Sequence, residues 1–193
     1  MHDNASSADL AASVKILVAG GFGVGKTTMV SSVSEVAPLR TEETITELSA
    51  GVDDLSGVES KTTTTVALDF GRITLDESLV LYLFGTPGQD RFWFLWDELV
   101  RGALGAVVLA DTRRLENSFA AIDFFERRGV LFTVAVNCFD SAQAYTTDEV
   151  RDALDLDVGT PVVLCDARDR ESCKSVLITL VEHLIVQASA SVA

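Results

Sequence analysis

The chain has 193 residues, a formal net charge of −14, 48% hydrophobic residues and three cysteines. That length suits one domain with a core of its own, and the acidic balance argues against phosphate-driven nucleic-acid binding and against docking on anionic lipid. Cys138, Cys165 and Cys173 form no C-x-x-C pair, so reduced thiols are expected rather than a disulfide framework or zinc site.

Residues 1 to 12 read as a disordered leader, polar and without the basic and apolar regions of a secretory signal. Val14-Lys15-Ile16-Leu17-Val18-Ala19 is a β-branched, apolar strand. It runs into Gly20-Gly21-Phe22-Gly23-Val24-Gly25-Lys26-Thr27, which fits G-x-x-x-x-G-K-[ST], and Thr28–Val33 continues as a helix. That strand–loop–helix order sets the backbone N–H groups of Gly23, Val24, Gly25, Lys26, Thr27 and Thr28, and a positive helix end, around a polyphosphate. Lys26 is expected to reach the β- and γ-phosphates and serve catalysis there. The Thr27 hydroxyl is expected to ligate Mg²⁺.

Pro38 to Lys61 carries Glu42, Glu43, Glu47, Asp53, Asp54 and Glu59 against Arg40 and Lys61, and its length marks a functional or mobile loop. Strands Thr64–Phe70 and Leu79–Phe84, joined by a turn region at Gly71–Ser78, predict an antiparallel hairpin at the sheet edge. Further strands read at Ala106–Ala110, Val130–Val136 and Pro161–Cys165. Unbroken apolar runs among them belong to a covered, mostly parallel sheet. Helical spacing appears in Leu115–Arg128 and Glu171–Gln187, and a short helix at Glu149–Leu154 follows the capping run Thr146-Thr147-Asp148. No apolar run reaches the ~20 residues that cross a bilayer. The expected fold class is α/β: a P-loop NTPase with a doubly wound, six-stranded, mostly parallel sheet, one antiparallel edge strand and helices on both faces. Asp111 reads as a turn or cap residue, and His2 and His183 carry no chemistry.

With the phosphate loop placed, the chain resembles Ras-like small GTPases over roughly residues 14 to 187, above all the bacterial gliding-motility and actinobacterial conservon types. Thr65-Val66-Ala67-Leu68-Asp69-Phe70 resembles switch I, which implies that Thr65 reaches Mg²⁺ and senses the γ-phosphate. Gly85-Thr86-Pro87-Gly88-Gln89-Asp90-Arg91-Phe92 resembles switch II, D-T-A-G-Q-E-R-F. The match implies that the Gly88 N–H meets the γ-phosphate and that Gln89 orients the attacking water. Gly85 stands where the family has the Walker-B Asp, which implies weaker metal binding. Asn137-Cys138-Phe139-Asp140 resembles the base-reading N-K-x-D. Asp140 would accept from guanine N1–H and the 2-amino group, donors that adenine lacks, while Asn137 braces the loop. Cys138 replaces the family Lys. Cys165-Asp166-Ala167-Arg168 takes the place of the S-A-K loop, which implies that the Ala167 N–H meets guanine O6 and that Arg168 covers the base.

The resemblance implies a domain over 13–188, a flexible tail over 189–193, and GTP/GDP with Mg²⁺ as ligands. Three functions compete: a GTP/GDP switch that slowly hydrolyses GTP, a nucleotide-loaded scaffold without hydrolysis, and a P-loop kinase or ATPase. Asp140 and the lack of an acceptor site argue against the last. Phe22 stands where Ras has a glycine and would obstruct an entering arginine finger. No Arg immediately precedes Thr65, leaving Arg40 and Arg91 as substitutes. Phe92-Trp93-Phe94-Leu95-Trp96 cannot bury every side chain from one helix, so a partner surface, a homodimer face and a wedge against the long loop stay open. The expected location is the cytoplasm, with no anchor of its own and membrane association only through regulatory or effector proteins; the C-terminus has no cysteine for prenylation.

Overall fold

The computed structural model describes residues 12–37, 39–46, 63–88, 94–140 and 143–190, with 39–46 and 63–67 described by their backbone. Residues 1–11, the expected leader but for its last residue, the acidic stretch 47–62, the segment Gln89–Trp93, which holds the expected switch II motif from Gln89 on, and residues 191–193 lie outside the described residues.

The elements run β1 (Ala12–Ala19), α1 (Lys26–Val33), β2 (Leu39–Thr46), β3 (Thr63–Asp76), β4 (Leu79–Gly85), α2 (Phe94–Val100), β5 (Ala103–Ala110), a 3₁₀ turn (Leu115–Ser118), α3 (Phe119–Arg128), β6 (Phe132–Asn137), α4 (Thr147–Ala153), β7 (Val162–Cys165) and α5 (Arg170–Ala190). The described strands form one sheet in the order β2-β3-β4-β1-β5-β6-β7. β4, β1, β5, β6 and β7 are parallel neighbours, and β3 runs antiparallel to both β4 and β2. The six expected strands are all present. β2 is a seventh, formed from part of the stretch read as a loop, and it takes the edge position from the expected hairpin. Its backbone pairs with β3 from Leu39↔Phe70 to Thr46↔Thr63.

Alternation in the central strands builds two cores. Ile16 and Val18 of β1, with Val107 and Leu109 of β5, pack against Met29, Val30 and Val33 of α1 and Val176, Leu177 and Leu180 of α5. Leu17, Ala19, Ala106, Val108 and Ala110 face the other way, against Trp96 of α2, Ile122, Phe124 and Phe125 of α3 and Val150 of α4. The central strands therefore read apolar throughout, because both faces are covered. α5 is 21 residues long and apolar enough by length and composition to cross a bilayer. Its Cys173, Val176, Leu177, Leu180 and Leu184 are nevertheless buried in the first core. α4 opens on a full capping box: Thr146 Oγ1 accepts from Glu149 N at 3.2 Å, and Glu149 Oε2 accepts from Thr146 N at 2.8 Å.

Candidate functional site

The parallel strands bring their C-terminal ends to one rim, where open α/β sheets hold ligands. The loop after β1 occupies its centre. Gly20, Gly23 and Gly25 have φ of 132°, 74° and 109°, a region in which L side chains are strained. A Cβ on Gly20 would meet Leu109 O at 2.4 Å, so the first glycine answers to sheet packing as well as to the turn. α1 begins at Lys26 with no side-chain cap, leaving its first N–H groups to the loop. Lys26 is only 8% exposed, and its Nζ donates to Gly20 O at 2.8 Å and Gly21 O at 2.7 Å. Burial pulls its ammonium down to about 8, against the opposing pull of the Asp69 carboxylate. Gly88 completes this side. A Cβ there would lie 2.5 Å from Lys26 Nζ and 3.0 Å from Phe22 N, so glycine is what lets the segment after β4 close on the loop. The buried Trp96 holds that segment, donating from Nε1 to Pro87 O at 3.2 Å.

Thr27 Oγ1 donates to Asp69 Oδ2 at 2.6 Å. Asp69 is 9% exposed, sits on β3 directly opposite Gly85 of β4, and was not among the expected site residues. Its signal in the sequence is a lone acid in Val66-Ala67-Leu68-Asp69-Phe70, an otherwise apolar strand. Thr65 lies four residues earlier on the same extended strand, about 13 Å along it at the usual strand rise, and pairs with Thr44. The structure brings Asp69 to the Thr27 hydroxyl.

Of the residues that the resemblance assigned to the base, Asn137 ends β6 and is 5% exposed. Its Nδ2 donates to Val24 O at 2.8 Å and its Oδ1 accepts from Ala167 N at 3.1 Å. One amide thus ties the phosphate loop, β6 and the loop after β7 together. It also occupies the Ala167 N–H that the resemblance assigned to guanine O6. The Cys173 Sγ donates to Ala167 O at 3.4 Å, and Ser32 Oγ donates to the same oxygen at 2.6 Å, pinning that loop to α5 and α1. Arg168 does not lie free: Nη1 and Nη2 donate to the two oxygens of Asp140, each at 3.0 Å, and Nε and Nη2 donate to Asp166 at 2.9 and 2.8 Å. These hydrogen bonds hold the Asp140 carboxyl below its ordinary range and bring Asp166 down to about 2. Asp140 remains largely solvent-exposed. Beside it, the Arg113 guanidinium stacks 3.7 Å over the Phe139 ring and pairs with the buried Asp111 at 2.8 Å. Asp111 is thus a turn acid of the loop after β5.

Phe22 projects from the tip of the phosphate loop, 67% exposed. Of the aromatic run Phe92–Trp96, Phe94 is 54% exposed and Trp96 is buried. Gln89, Asp90, Arg91, Phe92 and Trp93 fall outside the described residues, as does the stretch immediately before Thr63. A cavity of about 380 Å³ opens between Gly21, Phe22, Gly88, Trp96 and Asn117, joining the phosphate loop to the start of α3.

Residues 18–187 match the model of a family described as a conserved hypothetical ATP binding protein. The chain belongs to that family. An uncharacterized protein of Methanocaldococcus jannaschii is 27% identical over 137 residues, covering 70% of this chain and 76% of that protein. The Ras-related protein RABC2a of Arabidopsis thaliana is 28% identical over 129 residues, covering 65% of this chain and about half of its own length, 51%. Among solved structures, the G domain of the T. maritima FeoB iron transporter superposes with a TM-score of 0.62 at 20% identity, over 89% of this chain and 99% of that domain. That likeness establishes the fold, that of a P-loop G domain.

Proposed function

We propose that this member of the family is a guanine-nucleotide switch of the Ras-like kind. It takes GTP or GDP with Mg²⁺ and slowly hydrolyses GTP to GDP and phosphate. One observation carries the reading: the Asn137 amide joins Val24 of the phosphate loop to Ala167 beside Asp140, so one buried residue spans the polyphosphate side and the base side of a single ligand. Lys26 and the N-terminus of α1 serve the phosphates. Thr27 supplies a hydroxyl to Mg²⁺, and Thr65 joins it when switch I closes. Gly88 offers its N–H to the γ-phosphate, and Gln89 orients the water. Asp140 exchanges Arg168 for the guanine N1–H and 2-amino donors. Arg168 then covers the base, and its ion pair with Asp140 is the contact that guanine displaces.

Within that reading we group the chain with the bacterial gliding-motility and conservon types, on the resemblance of its motifs. Its output is protein contact through residues 38–65 and 85–96, in the cytoplasm, with membrane complexes reached through partners. The exposed Phe94 supports a partner or homodimer face beside switch II. The family description favours a second reading, in which the nucleotide is ATP. The departures at Gly85 and Phe22 favour a non-hydrolysing scaffold. Competition of GTP and ATP for fluorescent GDP decides the base, with GTP expected to win by at least about 100-fold and Asp140→Ala to erase the preference. Equal competition by ATP overturns the guanine reading. Single-turnover hydrolysis at equal rates in the wild type and Gln89→Ala favours the scaffold.

A further inference from the structure

Two arginines follow β5, and their partners differ. Arg113 is fully engaged. Its backbone N and Nε donate to Asp111 Oδ1 at 3.0 and 2.9 Å, its Nη2 donates to Asp111 Oδ2 at 2.8 Å, and its guanidinium lies over the Phe139 ring. Asp111 is 4% exposed, and Arg113 alone balances its buried charge. Arg114 is left with a looser ion pair, 3.8 Å from Nη2 to Asp111 Oδ2, and its side chain is 50% exposed. Among the described residues its guanidinium makes no hydrogen bond. Two guanidiniums thus stand against one carboxylate, a local surplus of positive charge in a chain of net charge −14.

That surplus lies against the phosphate loop. A Cβ built on Gly23 would lie 3.8 Å from Arg114 Nη2. Gly23 is exposed, and its φ of 74° is one that L side chains rarely adopt, so the flank of the loop at this point stays open to the guanidinium. Val24, the next residue, is the one that Asn137 holds by its carbonyl. The nucleotide reading gives the N–H groups of Gly23 and Val24 to the phosphates. Lys26 serves them from inside the loop, where Gly20 O and Gly21 O hold its ammonium. Arg114 reaches the same loop from its solvent side. A guanidinium pairs with phosphate oxygens two at a time, and in a partly desolvated cleft such a contact is screened less than in open water. The loop after β6, where the Ras-like pattern has a lysine, supplies Cys138 instead.

We propose that Arg114 is a second cation of the nucleotide site and closes over the diphosphate from the exposed side of the phosphate loop. The inference rests on the guanine-nucleotide reading. The test uses the full chain with Mg²⁺ and measures affinity for GDP, by titration of a fluorescent analogue, and for guanosine, by competition against it. Guanosine carries the base without the phosphates. Arg114→Gln keeps a polar stem and removes the charge; its GDP affinity is expected to fall about tenfold while its guanosine affinity holds. Arg114→Lys keeps the charge and is expected to keep the greater part of the GDP affinity. Unchanged GDP affinity in Arg114→Gln overturns the proposal and leaves the switch reading standing. An equal fall for GDP and guanosine also overturns it, since Arg114 would then only support the loop, as does an Arg114→Lys protein as weak as Arg114→Gln. A wild type that binds no guanine nucleotide overturns the switch reading and this contact with it.

Discussion

Replacing Asn137 by alanine tests whether one amide holds the two halves of the site together. Asn137, Val24 and Ala167 are 5%, 3% and 2% exposed, so water reaches none of their polar groups freely. The substitution removes a 2.8 Å hydrogen bond to Val24 O and a 3.1 Å hydrogen bond from Ala167 N. It leaves a carbonyl and an amide buried without partners, each costing about 1–3 kcal/mol. The sum is about 2–6 kcal/mol, a large share of the ~5–15 kcal/mol that holds a domain folded. For a chain of this size that lowers Tm by roughly 4–24 °C. Urea and thermal unfolding of the nucleotide-free protein measure it, with Asp140→Ala as the exposed control that leaves the melting curve in place. Asn137→Asp separates the two bonds: its oxygens still accept from Ala167 N but meet Val24 O with a second acceptor, so it stays destabilised. An Asn137→Ala protein that melts within about 1 °C of wild type would show that the amide does not carry the loop, and the single-ligand argument would fail with it.

Lys26 gives a pH test. Burial holds its ammonium at about 8 in the free protein, against 10.5 ordinarily, and bound phosphate returns it upward. Nucleotide binding therefore takes up a proton above pH 8. GDP affinity should fall about tenfold per pH unit from about pH 8 towards the ordinary lysine value, with Lys26→Met weak but flat across the series. A flat wild-type profile refutes this. The linkage to folding has the opposite sign: the cost of burying the charged lysine is complete below pH 8, so stability of the free protein rises between pH 8 and 10.5 as that charge is released. The first loop glycine gives a stability test, read as urea midpoints of Gly20→Ala and Gly129→Ala. Both have positive φ, 132° and 62°, but only a Cβ on Gly20 collides, 2.4 Å from Leu109 O, whereas Gly129 has open space. Gly129→Ala should cost about 1 kcal/mol, and Gly20→Ala more than twice that; equal costs would sink the packing argument.

The sheet's centre was legible because burial on two faces leaves a run such as Ala106-Val107-Val108-Leu109-Ala110 with no polar position to confuse it. β2 was not. Leu39-Arg40-Thr41-Glu42-Glu43-Thr44-Ile45-Thr46 is polar and charged, and its strand character resides in backbone pairing with β3, which a side-chain pattern does not record. The same limit hid Asp69. The phosphate loop announces itself because its chemistry is contiguous, eight residues with fixed spacing. Asp69 acquires meaning only from the register that sets it opposite Gly85, a relation between two strands rather than within one.

Seen through that register, the departures from the Ras-like pattern stop being isolated losses. At Gly85 the missing carboxylate is matched by one arriving across the hairpin. At Cys138 the missing lysine stem is matched by a different brace, since Arg113 stacks on Phe139 and pairs with Asp111, tying the base-side loop to the end of β5. Arg168, standing where the pattern has a lysine, closes the same corner by gripping Asp140 and Asp166 together. Each replacement comes from a neighbouring loop or strand and leaves the rim's backbone framework in place. Lys26 stays buried at the loop and Asp69 lies hydrogen-bonded to Thr27, so a cation and an acid both stand where the proposed nucleotide's phosphates would lie.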